Sequence, residues 1–351
     1  MAFNQEIHIG SRTVGSGHPV FIIAEAGVNH DGDVEKAKKL IDAAAEAKAD
    51  AVKFQTFQTD RLIVPGVPKA GYHKRTTGEK GDFYQMIKSL ELGKKEHKIL
   101  SDYARKKGIL FMSTPFDEES ADMLFDLGVP VFKIDSGNLN NPYLVRHIVS
   151  KQLPVILSTG MATIGEIEET LRVIESTGNK NIILLHCTSN YPPALEDVNL
   201  RAMETMRLAF GTLIGYSDHT SGIPVTLAAV ARGAIVVEKH ITLDRNTPGP
   251  DHLASIEPDE LKELVQGVRM IEHALGCSEK KPVEAEKEVM AALRRSVVST
   301  VDIPQGKLIA REMVAIKRPG TGLPPKFLDI IVGRTARRDI KKNELVTFEN
   351  V

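Results

Sequence analysis

Along this chain, short apolar runs end abruptly in polar residues, and each run is followed by a stretch whose apolar positions keep helical spacing. Phe21-Ile22-Ile23-Ala24 gives way to Glu25, Gly27, Asn29 and His30. Asp33 then stands where an N-cap belongs, ahead of Val34, Ala37, Leu40, Ile41 and Ala44 on one helical face. Ala51-Val52 ends in Lys53 and Gln55, and Ile109 to Met112 precedes a helical stretch from Asp117 to Leu127. The alternation continues with Val131 to Ile134 before Pro142 to Ser150, and with Val155 to Leu157 before a capping box at Thr163 and Glu166. Ile182 to Leu185 precedes Asn199 to Phe210, Leu213 to Gly215 precedes Ile223 to Arg232, and Ile235 to Val237 precedes Leu261 to Ile271.

These are eight strand-helix units. Runs that are apolar without alternation imply strands buried on both faces, as in a parallel sheet. Eight units in about 277 residues predict a (β/α)8 TIM barrel, whose usual size is ~250 residues. A doubly wound open sheet is the rival, but no G-x-G-x-x-G follows the first strand. The pattern changes after Cys277. Residues 278–293 are charge-rich and read as a linker leading into a helix. Short β-like pieces follow, interrupted by Pro304-Gln305-Gly306 and by the Gly/Pro-rich loop from Arg318 to Pro325. The expected division is therefore a barrel over 1–277, a linker over 278–293 and a small β-rich domain over 294–351.

Composition removes several classes of function. Of 351 residues, 42% are hydrophobic and 26% charged, which suits a packed globular protein. The net charge of −1 provides no global field for nucleic acid or an anionic membrane, so any anionic ligand must be held by a few local cations. Trp is absent, which argues against base-stacking platforms. The two cysteines, Cys187 and Cys277, form no CxxC and suit a reducing compartment. No apolar signal region or span-length run is present, and a cytoplasmic location is expected.

Barrel active sites sit at the C-terminal ends of the strands. Those ends here carry Glu25, Lys53, Gln55, Thr114, Lys133, Ser136, Ser158, Thr188, Ser189, Ser217, Asp218, His219, Glu238 and His240. Each one alone reads as a cap or turn residue, but their joint placement points to chemistry. His219 and His240 end the last two strands, where two imidazoles converge either on one divalent ion or in buried hydrogen bonds. Lys53 and Lys133 face one mouth. They suit a cradle for phosphate and carboxylate, the nucleophile of a Schiff-base aldolase, or plain salt bridges.

The ordered motifs resemble the sialic acid synthase family over nearly the whole chain. They include Ala24 to Asp33, Val52-Lys53-Phe54-Gln55, Ser113 to Asp117, Phe132 to Gly137, Leu157 to Met161, Cys187 to Pro192, Gly215 to Thr220, Glu238 to Thr242 and Gly249 to His252. Ser296-Val297-Val298 and Lys317 to Gly322 resemble the family's antifreeze-like (SAF) domain. The resemblance implies condensation of phosphoenolpyruvate with an N-acetylated amino-hexose aldehyde, giving a nine-carbon 2-keto-3-deoxy acid and phosphate. It implies a divalent cation, Mn2+ or Mg2+, on His219 and His240. By the same resemblance, Lys53, Thr114, Lys133, Ser136, Ser158, Ser189 and Ser217 contact phosphoenolpyruvate, and Glu25 steadies positive charge at its C2. Gln55, Tyr191 and Asp251 resemble sugar contacts. Arg318 resembles an arginine lent to the barrel of a second copy, which implies a domain-swapped homodimer. Asn138 stands where many members carry a Glu that contacts the sugar, and is an expected sugar contact here. N-acetylmannosamine is the expected acceptor, with a 6-deoxy-2,4-diacetamido sugar (a legionaminate- or pseudaminate-type product) as the alternative and a Schiff-base aldolase as the remote one.

Overall fold

In the computed structural model, which describes residues 3–69, 71–78 and 80–351, the chain divides into two units at Gly276/Cys277. The first begins with an antiparallel hairpin, β1 (Glu6–Ile9) and β2 (Arg12–Gly15). Eight parallel strands follow: β3 (Phe21–Gly27), β4 (Ala51–Thr56), β5 (Leu110–Pro115), β6 (Phe132–Ile134), β7 (Val155–Ser158), β8 (Ile182–His186), β9 (Leu213–Asp218) and β10 (Val236–His240). Their order is β5-β4-β3-β10-β9-β8-β7-β6, and β5 lies against β6, which closes a TIM-like barrel. Among the described residues no backbone ladder joins β5 to β6, so side-by-side packing seals that seam. None of the described helices is long and apolar enough to cross a membrane.

Period two decides what each strand residue does. Outward positions such as Ile22, Val52, Phe54, Phe132, Leu157, Leu184 and Val237 pack against the helices in the larger core. The helix Val34–Glu46 meets them with Ala37, Leu40, Ile41 and Ala44, and Asp33 caps it by accepting from the amides of Glu35 and Lys36. The predicted capping box is present: Thr163 accepts from the Glu166 amide while Glu166 accepts from the Thr163 amide.

Inward positions at the N-terminal ends of the strands form a second, separate core. Phe21, Ile23, Ala51, Met112, Val131, Ile156, Ile183, Leu185, Leu213 and Val236 fill the lower lumen. Ile7, Ile9 and Val14 of the hairpin are buried with them, so β1 and β2 plug the barrel floor. Sequence periodicity missed this hairpin, because two four-residue strands are too short to register. It also passed over the segment between β4 and the helix Lys94–Lys107, which contains helices at Thr59–Leu62, Gly71–Thr77 and Phe83–Lys88.

The second unit, Cys277–Val351, has its own core of Val297, Ile303, Ile309, Val314, Leu323, Ile331, Ala336, Ile340, Val346 and Val351. Its strands β11 (Ser296–Ser299) and β12 (Val314–Lys317) are antiparallel. The stretch expected to be a linker differs from expectation at its end. Residues Lys287–Leu293 form a helix that is tied into this unit, with the Gly320 amide donating to the Ala291 carbonyl and Arg318 Nε to the Leu293 carbonyl. A Cβ on Gly320 would stand 2.5 Å from Arg294 Cβ, so only glycine permits this close approach.

His97 shows how the barrel fixes protonation. Its Nδ1 lies 2.9 Å from the Gly93 carbonyl and must carry hydrogen, so its Nε2 accepts the Thr56 hydroxyl at 2.7 Å, and Thr56 accepts in turn from Ser113. Burial holds the His97 pKa below the ordinary value, and burial likewise pushes nearby His30 down to about 4. The folded barrel keeps both rings neutral, whereas the unfolded chain takes up protons near pH 6.5. Their contribution is therefore complete above about pH 6.5 and is lost as pH falls toward 4. His97→Gln is expected to destabilise the protein by about 1–3 kcal/mol at pH 8 and by less at pH 5, measured by urea unfolding. An equal difference at both values would contradict the neutral tautomer.

Candidate active site

Toward the C-terminal ends of the strands the inward residues change from aliphatic to charged. The ladder brings these residues side by side: Glu25 pairs with Lys53 and with His240, Gln55 with Thr114, and Glu238 with Ser217. Lys53 Nζ lies 2.8 Å from Glu25 Oε2 and 3.6 Å from Glu238 Oε2, and it donates to the Thr114 hydroxyl at 3.1 Å. Lys133 Nζ stands 3.7 Å from Glu238 Oε1, which also accepts from the Ser217 hydroxyl at 3.0 Å. All four charged side chains are buried.

The two carboxylates differ in their surroundings. Burial pushes Glu25 up to about 7, with repulsion from Glu238 adding to the shift and Lys53 opposing it. Burial acts the same way on Glu238, but Lys133, Lys53 and the Ser217 hydroxyl outweigh it and hold this carboxyl below its usual range. Glu25 thus exchanges a proton near neutrality while Glu238 stays ionised. Burial also opposes the charge on Lys53, yet Glu238 and Glu25 together keep its pKa above the ordinary value. A Schiff-base nucleophile must be neutral, so this ion pairing speaks against the aldolase alternative.

Across the lumen lies a group of hydroxyls. The Gly160 amide donates to Ser136 Oγ at 2.9 Å, and Ser136 Oγ lies 3.2 Å from Cys187 Sγ. A Cβ on Gly160 would fall 2.2 Å from Ser189 Oγ and 2.9 Å from Ser136 Oγ, so a glycine is required for these groups to meet. Ser158 and Ser217 line the same cavity. Two cations facing several hydroxyl donors can bind a doubly charged anion.

On the β9/β10 side, the His219 and His240 rings stand 5.3 Å apart between centroids, and the Tyr191 ring lies 4.1 Å from that of His219. His219 Nδ1 donates to the Thr188 carbonyl at 2.8 Å, which leaves its Nε2 with a free lone pair. His240 Nδ1 is buried without a hydrogen-bond partner, and the nearest carboxylate, Asp251, is 3.7 Å away. Burial holds both rings neutral, the form that ligates metal, and pushes Asp251 up to about 6. Among the described residues no group of three or more His, Cys, Asp or Glu could hold a metal. The donors present fit a cation carried by two imidazoles, with its other positions left to water or substrate oxygens.

The cavity has a volume of about 650 Å³. Glu25, Lys53, Gln55, Thr114, Lys133, Ser136, Ser158, Tyr191, Ser189, Ser217, His219, His240 and Asp251 all line it, so most of the sequence-derived set comes together. Asn138 is not among the lining residues; its amide donates to Asp135 Oδ1 at 2.7 Å. Arg318 lies in the second unit as an exposed residue whose Nε donates to the Leu293 carbonyl. Two contributors were not assigned from sequence. Glu238, noted as a strand-end residue and the first of the Glu238 to Thr242 motif but given no role, is the anion that joins both lysines, and its position two before His240 places it on the same inward face. Gly160 lies within the Leu157 to Met161 motif but was given no role there.

Gly160→Ala is expected to push Ser136 and Ser189 apart and weaken phosphate binding by roughly tenfold or more, the loss of one hydrogen bond to a charged group at about 1.5–3 kcal/mol. Calorimetric titration of inorganic phosphate checks this, and an unchanged affinity in folded variant would refute the cradle.

Residues 40–280 match the NeuB family, and residues 294–351 match the SAF domain. The chain is 45% identical to the N,N'-diacetyllegionaminic acid synthase of Legionella pneumophila, over 100% of this chain and 99% of that one. It is 47% identical to the enzyme of the same name from Campylobacter jejuni, over 93% and 98% of the two chains. Its structure resembles that of the N-acetylneuraminic acid (sialic acid) synthetase of Leptospira borgpetersenii in complex with citrate, with TM-score 0.72 and 40% identity over 82% of this chain and 96% of that one.

Proposed function

This chain belongs to the NeuB family, and on that premise we propose that it joins phosphoenolpyruvate to the open-chain aldehyde of a 6-deoxy-2,4-diacetamido hexose. The products are an N,N'-diacetyllegionaminate-type 2-keto-3-deoxy acid and phosphate. The observation that carries the choice of acceptor is the outer wall of the cavity. Phe57, Leu62, Ile63, Phe83, Ile87 and Phe116 line it, and Lys53 and Lys133 are the only lysines among the described lining residues. An apolar wall favours the methyl of a 6-deoxy sugar and of a second acetamido group over hydroxyls. The names of the two relatives from Legionella pneumophila and Campylobacter jejuni support the same choice, in place of the N-acetylmannosamine expected from sequence.

In this reading Lys53, Lys133, Thr114, Ser136, Ser158, Ser189 and Ser217 hold the phosphate and carboxylate of phosphoenolpyruvate. Gln55, Tyr191 and Asp251 face the sugar. His219 and His240 would hold Mn2+ or Mg2+, whose role when bound is to polarise the aldehyde carbonyl. As C3 of phosphoenolpyruvate bonds to the aldehyde carbon, the electron pair of that carbonyl moves to oxygen and positive charge develops at C2. The Glu25 and Glu238 carboxylates lie where they can stabilise that charge. Water then adds at C2 as Glu25 takes one of its protons, and the new alkoxide takes up a proton; the C2–O bond then breaks, the C2 hydroxyl passing its proton to the departing phosphate and becoming the ketone. A carboxyl poised near pH 7 is suited to this transfer. Holding both substrates in one apolar-walled mouth contributes ~7–11 kcal/mol toward a two-substrate step.

Phosphate release from phosphoenolpyruvate is expected with the diacetamido sugar, lost on chelation with EDTA and restored by Mn2+. Faster turnover with N-acetylmannosamine would reassign the acceptor, and release with neither sugar would refute the assignment.

We further read the protein as a homodimer in which Arg318 of one copy serves the other. Residues 294–351 carry 12 Lys and Arg against 6 Asp and Glu, whereas residues 1–276 carry 30 against 36, so two copies are electrostatically complementary. Arg318→Ala is expected to raise the acceptor KM at least tenfold, the equivalent of about 1.4 kcal/mol, with only a small fall in melting temperature from the lost hydrogen bond to the Leu293 carbonyl. An unchanged KM would exclude this role.

A further inference from the structure

Behind the two imidazoles, on the outward face of the same strands, lies an ion pair that water does not reach. Asp218 and Lys239 are both 0% exposed and stand 2.9 Å apart. They occupy paired positions of the β9/β10 ladder, and each immediately precedes one of the two histidines. Because side chains alternate along a strand, the pair points outward while His219 and His240 point into the cavity. Lys239 Nζ also donates to the Thr220 carbonyl at 2.5 Å, and Asp218 Oδ1 accepts from the Thr220 amide at 2.9 Å. Thr220 is thus held at both ends of its backbone, with His219 at the centre of the turn. The Thr226 hydroxyl donates to Asp218 Oδ2 at 2.6 Å and the Tyr216 hydroxyl to Oδ1 at 3.3 Å. Every charge in this cluster is satisfied by named partners.

A wholly buried ion pair is a weak source of stability, because desolvation cancels much of its attraction; packed apolar residues often serve as well or better. What this pair supplies that apolar residues would not is a fixed lateral spacing and a fixed turn. We propose that Asp218 and Lys239 are positioning residues for the imidazole pair, holding His219 and His240 at the separation and orientation from which both bind one divalent cation. The proposal rests on the reading of these histidines as metal ligands. Neither residue touches substrate or metal. They act through the backbones of His219 and His240, much as outer hydrogen-bond partners orient metal ligands elsewhere.

The test uses full-length protein carrying Asp218→Asn, Lys239→Met or Thr226→Val, with three readouts. These are Mn2+ affinity by electron paramagnetic resonance, the His219 Nδ1–H resonance in metal-free protein, and the melting temperature. Asp218→Asn and Lys239→Met are expected to weaken Mn2+ binding about tenfold or more, within the 10–100-fold range typical of lost outer partners, and to shift or broaden the His219 signal. A purely structural pair would lower the melting temperature and leave both other readouts at parental values, which would overturn the proposal. Should either charge variant fail to fold, Thr226→Val decides, since it removes one hydrogen bond to Asp218 and leaves both charges. It is expected to move the same two readouts by a smaller factor, and no movement refutes the role. If the parent binds no Mn2+, or binding survives His219→Ala and His240→Ala, the metal reading fails. The metal-free His219 resonance then still decides whether the pair positions the ring.

Discussion

Glu25, Lys53, Lys133 and Glu238 share the upper lumen almost out of reach of water, each within 4 Å of an opposite charge. An isolated ion at such a site would bear a desolvation penalty of several kcal/mol, so none of the four is tolerable alone. The compensation is incomplete where function needs it. Glu238 bridges both lysines and stays ionised, while Glu25 is paired with Lys53 alone and sits near its protonation point. A dianionic substrate entering this cluster meets two cations and a proton acceptor already in place, which is the preorganisation that electrostatic catalysis requires.

The rest of the barrel makes that cluster possible. The aliphatic lower lumen and its hairpin plug form a dry floor, so water reaches the charges only from the mouth. The outward faces of the same strands bury against helices, which fixes strand height and keeps Glu25, Lys53 and His240 level. Asp218 and Lys239 extend this logic to the outer layer. A second ion pair, one residue out of phase with the first set, braces the two histidines from behind. A glycine at 160 then allows the hydroxyl donors to approach one another more closely than any side chain there would permit.

The two carboxylates also show why charge balance over a whole chain says little about a site. The formal charge is −1, yet charge is concentrated twice: in the lumen as two lysines against two carboxylates, and over residues 294–351 as an excess of Lys and Arg. Local arrangement, and the burial that strengthens it, decides what the protein binds.

Much of this architecture was legible in the sequence. Eight apolar runs with helical sequels specify parallel strands buried on both faces, and their polar ends place Lys53, Lys133, His219 and His240 at one rim. The resemblance in ordered motifs named the family. Other features required the third dimension. The hairpin floor is built from segments too short to show periodicity, and its role exists only because the barrel leaves a hole to fill. The charge-rich stretch from 278 to 293 read as a linker leading into a helix, but nothing in it showed that its helix, Lys287–Leu293, belongs to the second unit. Glu238 looked like one strand-end residue among many until the ladder placed it between two lysines. Its partners lie about 105 and 185 residues away in sequence. Sequence by itself determined the period of each element and the chemical types at its ends, because these follow from local alternation. Only the tertiary structure decided which ends meet, because distances between side chains depend on ladder register and barrel closure, which are properties of the whole sheet.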